Sequence, residues 1–292
     1  MYRSLAEAIR DAESQGKSLY EVALELESQD QGRSIADIRK SLARALEVMR
    51  GAIGDGLTGE LRSASGLVGG DAEKLKNHAT GPLADTPFRD ILSRALAVQE
   101  VNAAMGVIVA APTAGGAGTL PAVLTGLAAA RGIPDEKVID ALATAGLVGA
   151  VIAERASLSG AEGGCQAETG AGAAMAAAAA TEMLGGTPSQ AGHAVALTMQ
   201  GMLGLVCDPL GGLVELPCVF RNATGAAIAL AGIEMAMAGI EFAIPADEVI
   251  DVMGEIGREM DVRYRETAGG GLAATPTGRR LAKERLYQIR RS

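Results

Sequence analysis

Ala171-Gly172-Ala173-Ala174-Met175-Ala176-Ala177-Ala178-Ala179-Ala180-Thr181 is an uncharged run with no proline and no aromatic residue. Alanine is the strongest helix former and loses no side-chain entropy when a helix orders. A helix built this way has no polar face, so it belongs where most of its sides are buried. Its small side chains also let neighbouring backbones approach closely. Ala223–Met237 has a similar composition. Strand signals are thin: aromatic residues make up 2% of the chain and tryptophan is absent, and β-branched runs with period-two alternation are missing. Gly106–Ala110 and Leu213–Leu216 are the two stretches that could form short strands. The expected fold is all-α, with Ala/Gly-rich buried helices in a single core and a helical cap at the N-terminus.

Helix boundaries can be read outward from that core. Ser4 with Glu7, Ser18 with Glu21, and Thr187-Pro188-Ser189-Gln190 have the form of a capping box, in which a hydroxyl and a carboxylate or amide satisfy free amides of the first turn. Ile35, Ile38, Leu42, Leu46, Met49 and Ile53 recur at helical spacing and give one apolar face. Thr86-Pro87 predicts a helix to about Ala104, Pro134 one to about Ala156, and Pro245 one ending near Met260. Gly51–Gly70 is glycine-rich and places the division between an N-terminal cap, residues 1–60, and a larger unit, residues 61–292.

The 292 residues carry a net charge of −9, with a pI near 4.9. That balance argues against nucleic acid or an anionic membrane surface as the main partner. Val101–Ala130 has no charge, but Pro112, Pro121, Gly115, Gly116 and Gly118 interrupt it, so it predicts a buried helix–loop–helix and no membrane span. The opening Met1–Asp11 segment reads as a charged amphipathic helix and not as an export signal. The basic tail with Arg279, Arg280, Lys283, Arg285, Arg290 and Arg291 reads as a solvated helix face. The cysteine count of three is odd, which excludes a fully paired intramolecular disulfide set and points to a reducing, cytoplasmic setting.

Those cysteines are Cys165, Cys207 and Cys218, each with a glycine or proline within two residues. Their spacing matches neither a zinc ribbon nor a Cys-x-x-Cys redox pair. On residues alone, buried structural cysteines and a metal or cluster site are both open readings. The number of thiols matters to the second. Four thiolates close a structural metal site, whereas three leave one position open for Lewis-acid chemistry.

The sequences around them decide further. Ser159-Gly160-Ala161-Glu162-Gly163-Gly164-Cys165-Gln166, Leu203-Gly204-Leu205-Val206-Cys207-Asp208-Pro209 and Val214-Glu215-Leu216-Pro217-Cys218-Val219-Phe220-Arg221-Asn222 resemble the iron–sulfur-dependent L-serine dehydratases. So do Asn102-Ala103-Ala104-Met105-Gly106, Ala111-Pro112-Thr113-Ala114-Gly115 and Gly270-Gly271-Leu272-Ala273-Ala274-Thr275-Pro276-Thr277-Gly278. The likeness keeps order and spacing over essentially the whole chain and matches the α subunit of the two-subunit form. It implies a helical catalytic part, a [4Fe-4S] cluster held by Cys165, Cys207 and Cys218, and a β subunit as partner in a hetero-oligomer. A monovalent cation is plausible for that form.

The implied reaction converts L-serine to pyruvate and ammonia. Serine's hydroxyl leaves poorly unless a metal binds it, and the α-proton needs a base. Ser65, Asn102 and Thr113 are the expected substrate contacts, and the glycine-rich segments Ala111–Gly118 and Ser65–Gly70 offer amides to a carboxylate. The base is among Lys74, Glu162 and Glu168. His193 lies within an apolar helix and reads as a core histidine; His78 reads as surface. Single-chain relatives carry Glu-His-Asn just before the Leu-Gly-Leu run, where this chain has Gln200-Gly201-Met202, so a histidine base is not carried over.

Three rivals stand beside this reading. A cysteine desulfidase of the same fold would place a thiol where serine has its hydroxyl. A pyridoxal-phosphate enzyme could use Gly115-Gly116-Ala117-Gly118 as a phosphate loop, but the alternating α/β pattern for it is lacking. A non-catalytic helical scaffold could bind zinc through the cysteines and His193.

Overall fold

A computed structural model describes residues 2–289, so Arg290 and Arg291 of the basic tail lie outside the described residues. The chain folds into α1 (Leu5–Gln15), α2 (Leu19–Gln31), α3 (Ile35–Gly56), α4 (Asp71–Lys76), α5 (Pro87–Ala103), α6 (Thr119–Arg131) and α7 (Asp135–Arg155). The short α8 (Gly160–Gly163) and a π-helical turn (Gln166–Gly170) lead into α9 (Ala171–Met183). α10 (Pro188–Met199), α11 (Cys218–Met237), α12 (Ala246–Glu259) and α13 (Pro276–Ile289) complete it. The fold is all-α. Among the described residues Gly106–Ala110 and Leu213–Leu216 form no strand; each is a connection beside helices, with no neighbouring extended chain to pair with.

α9 is the hub. Every residue from Ala171 to Thr181 is buried, and α6, α7, α10 and α11 pack around it. Alanine makes this possible, because its short side chain lets several helices lie against one axis. α10 and α11 meet the same way at Gly232, where a Cβ would stand 2.0 Å from Thr198 Oγ1 and 3.1 Å from the Ala194 carbonyl.

The expected boundaries appear within a residue or two, for stated reasons. Thr187 and Gln190 form the full reciprocal capping box of α10. Glu21 accepts the Ser18 amide at 2.8 Å. Ser4 accepts the Glu7 amide, whereas the Glu7 carboxylate reaches the Arg3 amide, one residue before the cap. Ile38, Leu46, Met49 and Ile53 bury the predicted face of α3, while Ile35 at its first position stays exposed.

Distant acids cap several helices. Asp247 of α12 accepts the Leu5 and Ala6 amides of α1 at 2.7 and 2.9 Å. Glu182 of α9 accepts those of Leu19 and Tyr20 in α2. Glu100 of α5 accepts the Gly70, Asp71 and Ala72 amides at 2.9, 2.7 and 3.1 Å. Each bond satisfies amides that the helix itself leaves free. Residues of α1, α2 and α3 share the main hydrophobic core with α9 and α10. No helix of the described residues is long and apolar enough to cross a membrane.

Candidate active site

Cys165, Cys207 and Cys218 are all free and buried. Each sits where regular structure begins or breaks. Cys165 opens the π-helical turn that carries Glu168 and Thr169, and such turns concentrate at functional sites. Cys218 is the first residue of α11. Cys207 lies on an irregular segment fixed from outside: its amide donates to the Tyr264 carbonyl and its carbonyl accepts from the Glu266 amide, both at 2.8 Å. This pairs Cys207 with Arg265 in an isolated parallel bridge.

Polar side chains lock the three segments together. Gln166, fully buried, accepts the Gly204 amide at 2.9 Å and donates to the Met253 carbonyl at 3.0 Å. It thereby joins the Cys165 segment to the Cys207 segment and to α12. Arg221, one turn past Cys218, pairs with Asp208 at 2.8 Å and donates to the Val206 carbonyl at 2.7 Å. Asp208 also accepts the Leu272 amide at 2.6 Å. Asn222 accepts the Gly118 and Thr119 amides at 2.9 and 3.2 Å and donates to the Gly115 and Cys218 carbonyls. The Ala111–Gly118 loop is thus held against the start of α11.

Glu168 is a second, half-buried acid inside this frame. Its Oε1 accepts the Thr113 hydroxyl at 2.6 Å, and its Oε2 lies 4.0 Å from Cys207 Sγ. Burial raises its pKa and nearby Glu266 adds to that, against the Thr113 hydrogen bond, which lowers it. Gly160 makes the space: a Cβ there would stand 2.6 Å from Glu168 Oε2 and 3.3 Å from Cys207 Sγ. Glu266 approaches from a left-handed backbone at φ 63°, a conformation costly for a residue with a side chain and often kept at functional sites.

The thiols show what the site is suited to hold. Burial pushes all three up; Cys218 reaches about 12, and Cys165 and Glu168 add to the rise at Cys207 and Cys218. Arg221 opposes the rise at Cys165 and Cys218. Three thiols buried this way ionise together only when a strong positive centre compensates them. Among the described residues no three His, Cys, Asp or Glu side chains close to the spacing of a single metal ion. A polynuclear cluster spreads its ligands over separate metal corners and so does not require that convergence. The donor set and the cradle at Gly160 fit an iron–sulfur cluster.

The other expected site residues fall in several places. Thr113 meets Glu168. Asn102 donates to the Ala114 carbonyl at 3.0 Å, on the same loop. Ser65 is buried with its hydroxyl on Glu215, which also accepts from Ser63 at 2.7 Å; Glu215 precedes Cys218 by three residues. Lys74 is exposed on α4 and paired with Asp71 at 2.8 Å. Glu162 is exposed on α8 and accepts the Ser157 hydroxyl at 2.6 Å. His78 is exposed, and His193 accepts the Phe242 amide at 3.3 Å.

The glycine-loop amides are largely committed. Those of Gly116 and Ala117 go to the Thr113 and Ala114 carbonyls, that of Gly118 to Asn222, and that of Gly70 to Glu100. Sequence reasoning passed over Arg221, Asn222, Asp208 and Glu266. The first three lie inside the quoted cysteine motifs, so their position beside the thiols was the available signal. Glu266 is far from them in sequence and gave none.

Fold and site together define an all-helical protein with three buried thiols and the half-buried Glu168 beside Cys207. Residues 14–273 match the family described as serine dehydratase alpha chain, and the chain belongs to that family. It is 47% identical over 290 residues to the probable L-serine dehydratase alpha chain of Bacillus subtilis (strain 168), covering 97% of this chain and 95% of that one. It is 39% identical over 292 residues to the L-serine dehydratase alpha chain of Peptoniphilus asaccharolyticus, covering 99% of each. The L-serine dehydratase of Streptomyces coelicolor is 40% identical over 279 residues, 93% of this chain but 60% of that longer protein.

Proposed function

We propose that this chain is the catalytic subunit of an L-serine ammonia-lyase that converts L-serine to pyruvate and ammonia. The observation that carries the reading is the meeting of three buried thiols from three chain segments beside the Glu168–Thr113 pair. Cys165, Cys207 and Cys218 would hold a [4Fe-4S] cluster, which when bound supplies a Lewis-acid position for the substrate hydroxyl.

Glu168 acts as the base. Thr113 occupies Oε1, and Oε2 faces Cys207 Sγ at 4.0 Å, so the α-proton is taken at Oε2 once that thiol is ionised. A carboxyl whose pKa is raised by burial binds that proton more tightly than a solvated one, which favours proton abstraction. Lys74 and Glu162 are placed less well for this role, being exposed and bonded elsewhere. Asn102 positions the Ala114 carbonyl and with it the loop that presents Thr113. Ser65 orders the chain before Cys218 through Glu215.

Relatives named as alpha chains support a separate β subunit as partner, and thus a hetero-oligomer; three free thiols suit a reducing, cytoplasmic setting. Residues 1–60 would serve as a helical cap on the catalytic unit 61–292.

The test is iron and acid-labile sulfide per chain, on protein made with its β partner and purified without oxygen. About four of each is expected, together with pyruvate release from L-serine in preference to sulfide release from L-cysteine. The Cys207→Ser variant should lose both iron and turnover. Zinc in place of iron, or full activity in that variant, overturns the reading.

A further inference from the structure

A cavity of about 350 Å³ opens beside the Cys165 segment, between the end of α7, α8 and α12. Two arginines line it, Arg258 of α12 and Arg265 of the segment bridged to Cys207. Neither guanidinium has a hydrogen bond or ion pair among the described residues, and Arg265 Nε is buried without a partner. Gly254 makes room for one of them, since a Cβ there would lie 3.2 Å from an Arg258 guanidinium nitrogen. Two like charges facing one cavity repel, and a buried donor without an acceptor is costly. Both costs disappear when a planar anion accepts from the two forks. The one acid on the wall, Glu162, is tied at the rim by the Ser157 hydroxyl.

We propose that this cavity binds a small organic carboxylate between Arg258 and Arg265. Its walls include Ala161 and Gly163, which lead to Cys165, and Arg265, whose chain neighbours Tyr264 and Glu266 hold the Cys207 backbone. An occupant therefore braces two of the three thiol-bearing segments at once. The inference goes beyond serine deamination and is read by binding without turnover.

The experiment is calorimetric titration of the anaerobically purified full-length protein, with its partner subunit, using acetate, propionate and inorganic phosphate. One carboxylate should bind per chain. Arg258→Gln, at an exposed helical position, should weaken it by about tenfold or more, and Arg258→Lys by less. Glu162→Gln should tighten it by removing a like charge, an effect that a merely structural role for these residues would not produce. The inference fails if neither carboxylate binds at millimolar concentration, if phosphate alone binds, or if Arg258→Gln leaves carboxylate affinity unchanged.

Discussion

Glu168 and Gly160 are a matched pair: the acid needs the space that the missing Cβ leaves beside Cys207. Gly160→Ala places a methyl against both Glu168 Oε2 and Cys207 Sγ. Its expected result is protein with less iron and sulfide than the parent, measured after anaerobic purification. Glu168→Gln keeps shape and hydrogen bonding but cannot take a proton. Its kcat should fall by about 10²–10⁴ with iron content unchanged; undiminished kcat would remove Glu168 from the role of base. Which acid to test was not legible from sequence alone. Lys74, Glu162 and Glu168 are equally plausible residue types there, and only burial and the Thr113 contact separate them.

At the scale of the element, small residues do the positioning. α10 and α11 touch backbone to backbone at Gly232, with Thr198 against its open face. Gly232→Ala gains helix propensity but overpacks this crossing, and a net loss of about 1–3 kcal/mol is expected from urea denaturation. Adding Thr198→Ala should recover part of it, because the Thr198 hydroxyl is the nearest atom while the Ala194 carbonyl cannot move away. A stability gain from Gly232→Ala alone would mean that the two helices are not in close contact there. The helices themselves were legible in sequence, since proline, capping residues and apolar spacing act within one or two turns. The irregular segments were not. Gly106–Ala110 has strand-like composition, yet among the described residues no neighbouring chain pairs with it.

Across the whole molecule, carboxylates on one helix cap others far away in sequence. Glu182 links α9 to the start of α2 and accepts the Thr144 hydroxyl of α7. Burial raises its pKa above the ordinary carboxylate value, with the bonds to Thr144, Leu19 and Tyr20 opposing. A carboxyl raised on folding binds more protons in the native state. Its contribution is therefore greatest below the unfolded value near 4.5 and is lost as pH rises through the folded value. The stability difference between the parent and Glu182→Gln should shift toward the variant as pH rises through that window, as read from urea midpoints. A difference that stays constant between pH 4 and 8 would show that Glu182 titrates alike in the folded and unfolded chains.

The sequence by itself determined the helical class, most helix boundaries and the three cysteines to watch, because propensity, capping and motif spacing are local properties carried by adjacent residues. Tertiary structure alone decided which acid lies beside the thiols, that Arg221 and Asn222 lock the cysteine segments, and that Glu266 and Arg265 arrive from near the C-terminal end of the chain. Those relations depend on burial and on charges brought together across long stretches of sequence. Such contacts form only when the alanine-rich hub lets its neighbouring helices close around it.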